Sequence, residues 1–389
     1  MSVKINFNDL ALQYKTPFYL FNKNNVKKRV IEIQKRLPEN AKLCYAIKAN
    51  AFLTNFLKDE DLLFEVCSPG ELSICENIKL SPSKIVFSGV VKNLEDIQRA
   101  YKLKVHTITL ESPAHCDYLL QCIKETQDPH NQNVILRLTN GNQFGMSEKD
   151  LKECVAKIKE FPSITIRGIH FFTGTQKKYK TISEEIPFIE SFCSKLINDF
   201  NLDNLEIEYG PGLPYDYFSG SDEKNNYSAL EDFSKLITNS KFKYIIELGR
   251  YIASPCGKYV TKIVDVKNND KNNYCLIDGG INHINYYGQM MGMKVPEIEH
   301  IHQNNNISTE MQNYTIAGSL CTTADIVLRQ LPLAAPSIGD LLVFNDIGAY
   351  SITEGIYLFL SHPLPAVLCS DDNKITVLRN LTETYKINS

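Results

Sequence analysis

Lys48 closes the apolar run Leu43-Cys44-Tyr45-Ala46-Ile47 and is followed by Ala49-Asn50. An amine aimed out of the end of a strand is a candidate covalent catalyst. It must lose its proton to form a Schiff base, and burial at a barrel mouth lowers a lysine's pKa in the required direction. Complementary groups stand further along the chain. Gly210-Pro211-Gly212, Gly174-Thr175 and Arg250 offer the backbone N–H donors and the cation that a phosphate needs. Glu247, three residues before Arg250, is a carboxylate suited to keep a pyridinium nitrogen protonated. Aldehyde, phosphate and ring nitrogen are the three requirements of pyridoxal 5'-phosphate. Taken singly, each signal has an ordinary structural explanation, since strand-end lysines are often structural and Gly-rich loops are often no more than tight turns.

Groups so far apart in sequence need a frame to gather them. Eight short runs, 42–47, 62–66, 84–87, 106–110, 134–138, 166–172, 205–209 and 244–248, are apolar and β-branched or aromatic. Stretches of helical periodicity mostly lie between them, such as 147–160 and 186–200. This alternation predicts an α/β fold, a (β/α)8 TIM barrel, whose active site lies at the C-terminal ends of the strands. Glu65 and Ser68, Ser88-Gly89, Glu111, Arg137, Thr173-Gly174-Thr175, Gly210-Pro211-Gly212, and Glu247 with Gly249-Arg250 all stand there.

Beyond Arg250 the pattern changes to strands without long intervening helices, at 259–266, 274–277, 314–317, 340–344 and 375–378. These predict a C-terminal antiparallel β domain, with 267–273 a hairpin loop and 303–312 an exposed connection. The strand-like 18–21 could join either unit. The division expected is 22–255 for the barrel, and 1–21 with 256–389 for the β domain. A content of 43% hydrophobic residues in 389 suffices for two cores. A formal charge of -3 offers no field for nucleic acid or anionic lipid, and the basic stretch 23–36 reads as a solvated helix face. No apolar run approaches the ~20 residues of a membrane span, and residues 1–9 lack the regions of a signal peptide, so a soluble cytoplasmic protein is expected. The eleven cysteines are scattered, with no CxxC pair. They predict reduced thiols rather than a disulfide frame or a zinc site, and no metal is expected.

Five ordered motifs resemble those of the fold-type III pyridoxal phosphate decarboxylases, the ornithine, arginine and diaminopimelate decarboxylase family. Cys44-Tyr45-Ala46-Ile47-Lys48-Ala49-Asn50 resembles YAxKAN, Glu65-Val66-Cys67-Ser68-Pro69-Gly70-Glu71-Leu72 resembles [DE]VASxGEL, and Glu247-Leu248-Gly249-Arg250 resembles EPGR. Leu320-Cys321-Thr322-Thr323-Ala324-Asp325 is similar to the catalytic-cysteine segment, and Gly339-Asp340 through Asp346-Ile347-Gly348-Ala349-Tyr350 to the GD…DxGAY signature. The resemblance implies a decarboxylase in which Lys48 carries the cofactor, Glu247 faces the pyridine nitrogen, and Thr175, Gly212, Arg250 and Tyr350 surround the phosphate. Glu65, Arg137, Phe172, Gly174, Gly210 and Gly249 complete the cofactor site it implies. It further implies a head-to-tail homodimer in which Cys321, the acid that protonates Cα, and Asp325 of one subunit enter the other's site.

Three departures bear on the substrate. Gly168-Ile169-His170-Phe171-Phe172-Thr173-Gly174-Thr175-Gln176 puts Phe172 where the family stacks a histidine on the cofactor ring, and His170 is as well read as an interior histidine. Only six residues separate Arg137 from Phe144-Gly145-Met146, where the family has a long loop. Thr322 stands in place of the acid that holds a distal ammonium, which disfavours free diaminopimelate and ornithine. With Gln143-Phe144-Gly145-Met146 and Phe359-Leu360-Ser361-His362-Pro363, these features resemble the specialised-metabolite branch, which includes decarboxylases of siderophore precursors and of a carrier-bound glutamyl thioester in the butirosin pathway. The expectation is an amino acid with a conjugated or carrier-bound side chain, with Thr322 and Asp325 near it. Alternatives are decarboxylation of free diaminopimelate, ornithine or lysine, amino-acid racemisation, and non-catalytic cofactor binding.

Overall fold

Runs of alternating or continuous apolar residues become strands throughout a computed structural model that describes residues 5–218, 227–303, 309–371 and 374–389. In chain order they are β1 (Phe18–Asn22), β2 (Ala41–Ala46), β3 (Leu63–Val66), β4 (Ile85–Phe87), β5 (Thr107–Leu110), β6 (Gln132–Arg137), β7 (Ile164–Phe172), β8 (Glu206–Gly210) and β9 (Lys243–Leu248). They continue with β10 (Gly257–Asn268), β11 (Asn273–Ile277), β12 (Ile298–Ile301), β13 (Met311–Ala317), β14 (Ile326–Ala334), β15 (Leu341–Phe344), β16 (Ala366–Asp371) and β17 (Lys374–Arg379).

Strands β2 to β9 form a closed parallel barrel, sealed by β9 against β2 with Cys44 opposite Glu247. All eight barrel strands expected from the sequence are present. Side chains on a strand alternate with period two, so every second residue enters the barrel. Cys44, Leu63, Val86, Ile135 and Ile245 pack as one apolar layer inside it. Two residues further along four of those strands come Glu65, Ser88, Arg137 and Glu247, all buried. The pleat itself therefore lifts a polar layer to the C-terminal end of an apolar plug. Helix-start signals then turn the chain back: Ser68 and Ser112 cap helices that open with Pro69 and Pro113, and Asn93 with Asp96 forms a capping box.

Among the described residues, nine strands form a second sheet, in the order β14-β13-β11-β10-β1-β16-β17, with β15 on β10 and β12 on β15. It is mostly antiparallel, with two exceptions that sequence did not foresee: β1 runs parallel to β16, and β11 parallel to β13. Strand β1 belongs to this sheet, where Phe18 and Leu20 join Val260, Leu341, Val343, Ala366 and Leu368 in the core. Strands β12, β14 and β16 were also unforeseen. The sequence of β12, Ile-Glu-His-Ile, is too short and polar to signal a strand, and β14 contains Pro332, tolerated because β14 is at the edge. Pairing of Lys267 with Tyr274 and Asn268 with Asn273 shortens the expected 267–273 loop to 269–272. Of the expected connection 303–312, residues 304–308 lie outside the described residues, and Met311 and Gln312 are already in β13.

The chain divides into two compact units, Arg29–Pro214 with Asn226–Tyr251, and Met1–Lys28 with Tyr215–Asn225 and Ile252–Ser389. The excursion after β8 thus belongs to the second unit, where Tyr215 donates to Asp346 at 3.0 Å and Tyr217 and Ser254 share a hydrogen bond of 2.6 Å. No helix among the described residues is long and apolar enough to cross a membrane.

Candidate active site

Lys48 lies two residues beyond the end of β2, on the single 3-10 turn Ile47–Ala49 that leads into the next helix. Its Nζ donates to both oxygens of Glu65, at 2.9 and 2.7 Å, and lies 3.5 Å from Cys67 Sγ. The Cys67 thiol donates to Glu65 Oε1 at 3.1 Å. Burial does act to lower the Lys48 pKa, as the sequence suggested, but Glu65, Cys67 and Glu247 outweigh it and hold the amine charged, well above the usual lysine value. The expected direction is reversed because the carboxylate on the neighbouring strand is in contact with the amine.

Across the barrel, neighbouring strands bring His170 on β7, Glu208 on β8 and Glu247 on β9 together, with one ligand atom of each within 4.8 Å of the others. His170 and Glu247 approach to 3.3 Å. All three are buried, and among the described residues both His170 nitrogens, both Glu208 oxygens and Glu247 Oε1 make no hydrogen bond that meets standard geometry. One proton shared between the carboxyls relieves this crowding. Burial, and then Glu247, push Glu208 well above the usual carboxylate range, so Glu208 keeps the proton. Burial also acts to raise Glu247, yet His170, the Glu208 carboxyl and Lys48 together hold it below that range, as an anion. Glu208 was not singled out in the sequence. Its signal was the two-residue step to Gly210, which places it on the inward face of β8.

The loops after β7 and β8 meet backbone to backbone. Gly212 has φ +56°, and a Cβ there would lie 2.2 Å from Gly174 O, so only glycine allows this approach. Lys177 N donates to Gly212 O at 2.8 Å and ties the two loops. A Cβ on Gly210 would strike the Phe172 ring at 2.3 Å, so glycine is also what lets Phe172 sit across the end of β8. Gly249 is similarly close to Ala46 and Ala49 beside Lys48. Beneath these loops Lys177 is anchored to Glu185 at 2.6 Å and to Thr173 at 3.1 Å.

On the opposite wall Arg137 donates to Glu111 at 2.7 Å, with both side chains nearly inaccessible, and its guanidinium lies 5.0 Å from the Phe144 ring centroid. The six-residue connection closes tightly, through Met146 N to Arg137 O at 2.8 Å and Thr139 N to Met146 O at 2.9 Å. Gly145 N also donates to Glu111, at 3.3 Å. Arg137 is thus committed to Glu111. Lys92, likewise missed, is buried next to this pair and caps Ser88 O and Gly89 O. Burial lowers its pKa to about 8, against the pull of Glu111 and Cys67.

In the second unit Cys321 and Thr322 are exposed on the loop joining β13 to β14. Cys321 is the exposed thiol of the chain; Cys67 is half-buried and the rest are buried, all of them free. Asp325, 2% exposed, accepts from Leu320 N at 2.7 Å and Ile281 N at 2.9 Å. Gly280 and Gly318 crowd it so closely that a Cβ on either would collide with the carboxylate. Asp325 therefore clamps the base of the Cys321 loop. Tyr350 adopts φ +67°, and its carbonyl accepts from Thr353 N and Glu354 N at 2.7 and 2.9 Å.

Residues 23–254 match the family model described as the pyridoxal-dependent decarboxylase pyridoxal binding domain. The chain belongs to this family. It is 25% identical to the L-glutamyl-[BtrI acyl-carrier protein] decarboxylase of Niallia circulans, over 95% of this chain and 92% of that one. It is 26% identical to the 2-[(L-alanin-3-ylcarbamoyl)methyl]-2-hydroxybutanedioate decarboxylase of Staphylococcus aureus, over 89% and 92%. Among solved structures, diaminopimelate decarboxylase from Helicobacter pylori complexed with L-lysine superposes with a TM-score of 0.84 at 21% identity, covering 98% of each chain.

A pyridoxal-dependent decarboxylase uses pyridoxal 5'-phosphate, and the protein is a carboxy-lyase acting on an amino acid. The residues present fit that cofactor. Glu247 Oε1 is a buried acceptor with no N–H donor on it among the described residues, which a protonated ring nitrogen would supply. Gly174 and Gly212 keep clear the space that side chains would fill beside Thr175. Arg250 begins a helical turn directly after β9. The sheet and barrel of the expected fold-type III architecture are both present.

Proposed function

We propose that the enzyme decarboxylates an α-amino acid whose distal end is uncharged, because it is joined to a larger group or a carrier. The observation that supports this most directly is the commitment of the carboxylates at the barrel end. Glu65 is on Lys48, Glu111 on Arg137 and Gly145 N, Glu71 on Cys67 N, and Glu185 on Lys177. A free diamino acid would leave its distal ammonium unpaired against Thr322, and burying an unpaired charge is costly. A cavity of about 600 Å³, bordered by Thr139, Asn140, Gly174, Thr175 and Phe188, opens beside the short 138–143 connection and has room for an appended group. The two relatives above, by their names, act on substrates of this conjugated kind.

In this reading Lys48 would hold the cofactor aldehyde, with Glu65 orienting its nitrogen. Glu247, kept anionic by Glu208 and His170, would face the ring nitrogen, and Phe172 would cover a ring face. Gly174, Thr175, Gly212 and Arg250 would cradle the phosphate, with Tyr350 assigned to it by motif. Pyridoxal phosphate supplies the electron sink for the pair left on Cα as CO2 departs. The Cys321 thiol would return a proton to Cα, and Asp325 would position the Cys321 loop rather than touch substrate.

The test is CO2 release by the yellow, cofactor-loaded protein from a panel of free ornithine, lysine and diaminopimelate and their side-chain-acylated or thioester-linked counterparts. Conjugates should be turned over at least about tenfold more efficiently, the discrimination that about 1.4 kcal/mol provides. A free diamino acid used at about 10⁴ M⁻¹s⁻¹ or above, and better than every conjugate, would overturn the reading. Glu354, exposed and tied to Asn285 at 2.7 Å, would then be the first residue to examine.

A further inference from the structure

We propose that His300, His302 and Asp340 form a binding site for a borderline first-row divalent cation, zinc foremost, within the second unit. His300 stands on β12, which pairs only with β15 among the described residues, and His302 follows two positions later. In extended chain, residues two apart project on the same side. The two imidazoles lie with centroids 3.8 Å apart, and both aim a nitrogen at one atom, Asp340 Oδ2: His300 Nε2 at 2.9 Å and His302 Nδ1 at 3.3 Å. All three ligand atoms lie within 4.8 Å of one another. Zinc bonds of about 2.0–2.1 Å to His nitrogen and carboxylate oxygen place tetrahedral ligand atoms about 3.3 Å apart, so the donor set stands at coordination spacing before any cation enters.

The carboxylate is held in place for this. Oδ1 accepts from Gln303 N at 2.9 Å and Ser337 Oγ at 3.0 Å, and Oδ2 from Ser337 N at 3.0 Å. Ser337 N–H and His300 thus occupy the two lone pairs of Oδ2, and His302 Nδ1, although close, makes no hydrogen bond among the described residues. A cation between the three relieves this oversubscription: His300 moves its proton to Nδ1 by tautomerisation, and both ring nitrogens then offer lone pairs. The donor set is two histidine ring nitrogens and one carboxylate oxygen. The imidazoles remain 12% and 17% exposed, so water can enter the fourth position. This combination suits zinc, cobalt, nickel or copper better than calcium or magnesium. The sequence expectation of no metal rested on cysteine spacing. It missed this site because the histidines and the aspartate are about forty residues apart and meet only through the β12–β15 ladder.

Bound here, the cation would staple the edge strand β12 to the turn that opens β15. The test uses untagged, cofactor-loaded enzyme, cleared with EDTA and titrated with Co²⁺ and then Zn²⁺. One Co²⁺ per chain, with a tetrahedral visible band displaced by Zn²⁺, is expected, together with a Zn²⁺-dependent rise in unfolding temperature. His300→Ala and His302→Ala should each weaken binding at least about 10–100-fold, with far-UV circular dichroism and cofactor absorbance unchanged. Should either fail to fold, the glutamine variant takes its place, since it retains a hydrogen-bonding side chain. Failure of the wild-type protein to take up either cation stoichiometrically overturns the proposal. So does undiminished uptake by the variant carrying both His300→Ala and His302→Ala, which would put the cation on thiols or on the cofactor phosphate.

Discussion

At Lys48 two opposing effects meet, burial that favours the neutral amine and Glu65 at 2.7 Å that favours the ammonium, and contact with the carboxylate prevails. If Lys48 is the cofactor's anchor, borohydride reduction of the loaded enzyme should leave the pyridoxyl group on the peptide containing Lys48, and Lys48→Ala should lose all turnover. Label on any other lysine would sink the site assignment, with Lys92, the buried amine whose pKa falls to about 8, the chief rival. Glu65→Gln tests the electrostatic balance separately. Without the carboxylate, burial should prevail and the Lys48 pKa should fall. Cofactor-free protein should then capture added pyridoxal phosphate faster at pH 8, by about tenfold per unit of pKa lost. An unchanged rate would show that Glu65 does not control the charge on the amine.

At the scale of elements, the barrel works because strand pleat and loop closure agree. The pleat puts Glu65, Arg137 and Glu247 one step above the apolar layer, and glycines let the loops after β7 and β8 touch. Gly212→Ala would force a side chain into a left-handed conformation and against Gly174 O. A cost of about 1–3 kcal/mol concentrated in that loop corresponds to roughly 5- to 150-fold weaker cofactor binding, measured by fluorescence titration, with the fold retained. Binding within twofold of wild type would mean that the loops do not form the phosphate cradle.

For the molecule as a whole, the placement of Cys321 on an exposed loop tip, clamped from below by Asp325, suits a thiol presented to another chain. A composite-site homodimer predicts that inactive Lys48→Ala and inactive Cys321→Ala proteins, mixed and exchanged, recover up to about a quarter of wild-type activity, since half the dimers would be hybrid with one intact site in two. No recovery after verified exchange would place each site within one chain. Acid stability carries a further prediction. Burial, with His362 and Arg379, lowers the His283 pKa to about 3, and burial, with Lys92, lowers that of His115 to about 4, from an ordinary 6.5. Both folded-state values lie below the unfolded one, so between pH 6.5 and about 3–4 the unfolded chain binds more protons and stability falls as pH falls. Each residue contributes up to about 1.4 kcal/mol per pH unit in that window. His283→Asn, if it folds, should flatten the slope measured by urea unfolding between pH 6 and 5, and an unaltered slope would assign it to other groups.

Local patterns were enough for the barrel. Period-two apolar runs, Ser and Asn caps and the short motifs around Lys48, Glu247 and Cys321 each involve residues a few positions apart, so their physics is written in order along the chain. The placement of β1 between β10 and β16, and the parallel pairing of β11 with β13, depend on which strand edges are left to be covered, and no neighbouring residue encodes that. The polar strand β12 and the proline-bearing β14 form because the sheet accepts them, not because their residues favour extension. Charge states were also beyond the reach of sequence. Glu208 becomes an acid only when β7, β8 and β9 bring three ionisable groups into one dry space, and Lys48 stays an ammonium only because Glu65 is beside it. Residue types set what each group can donate, accept or ionise. Distance and exclusion of water, which exist only in the folded chain, decide which of those it does.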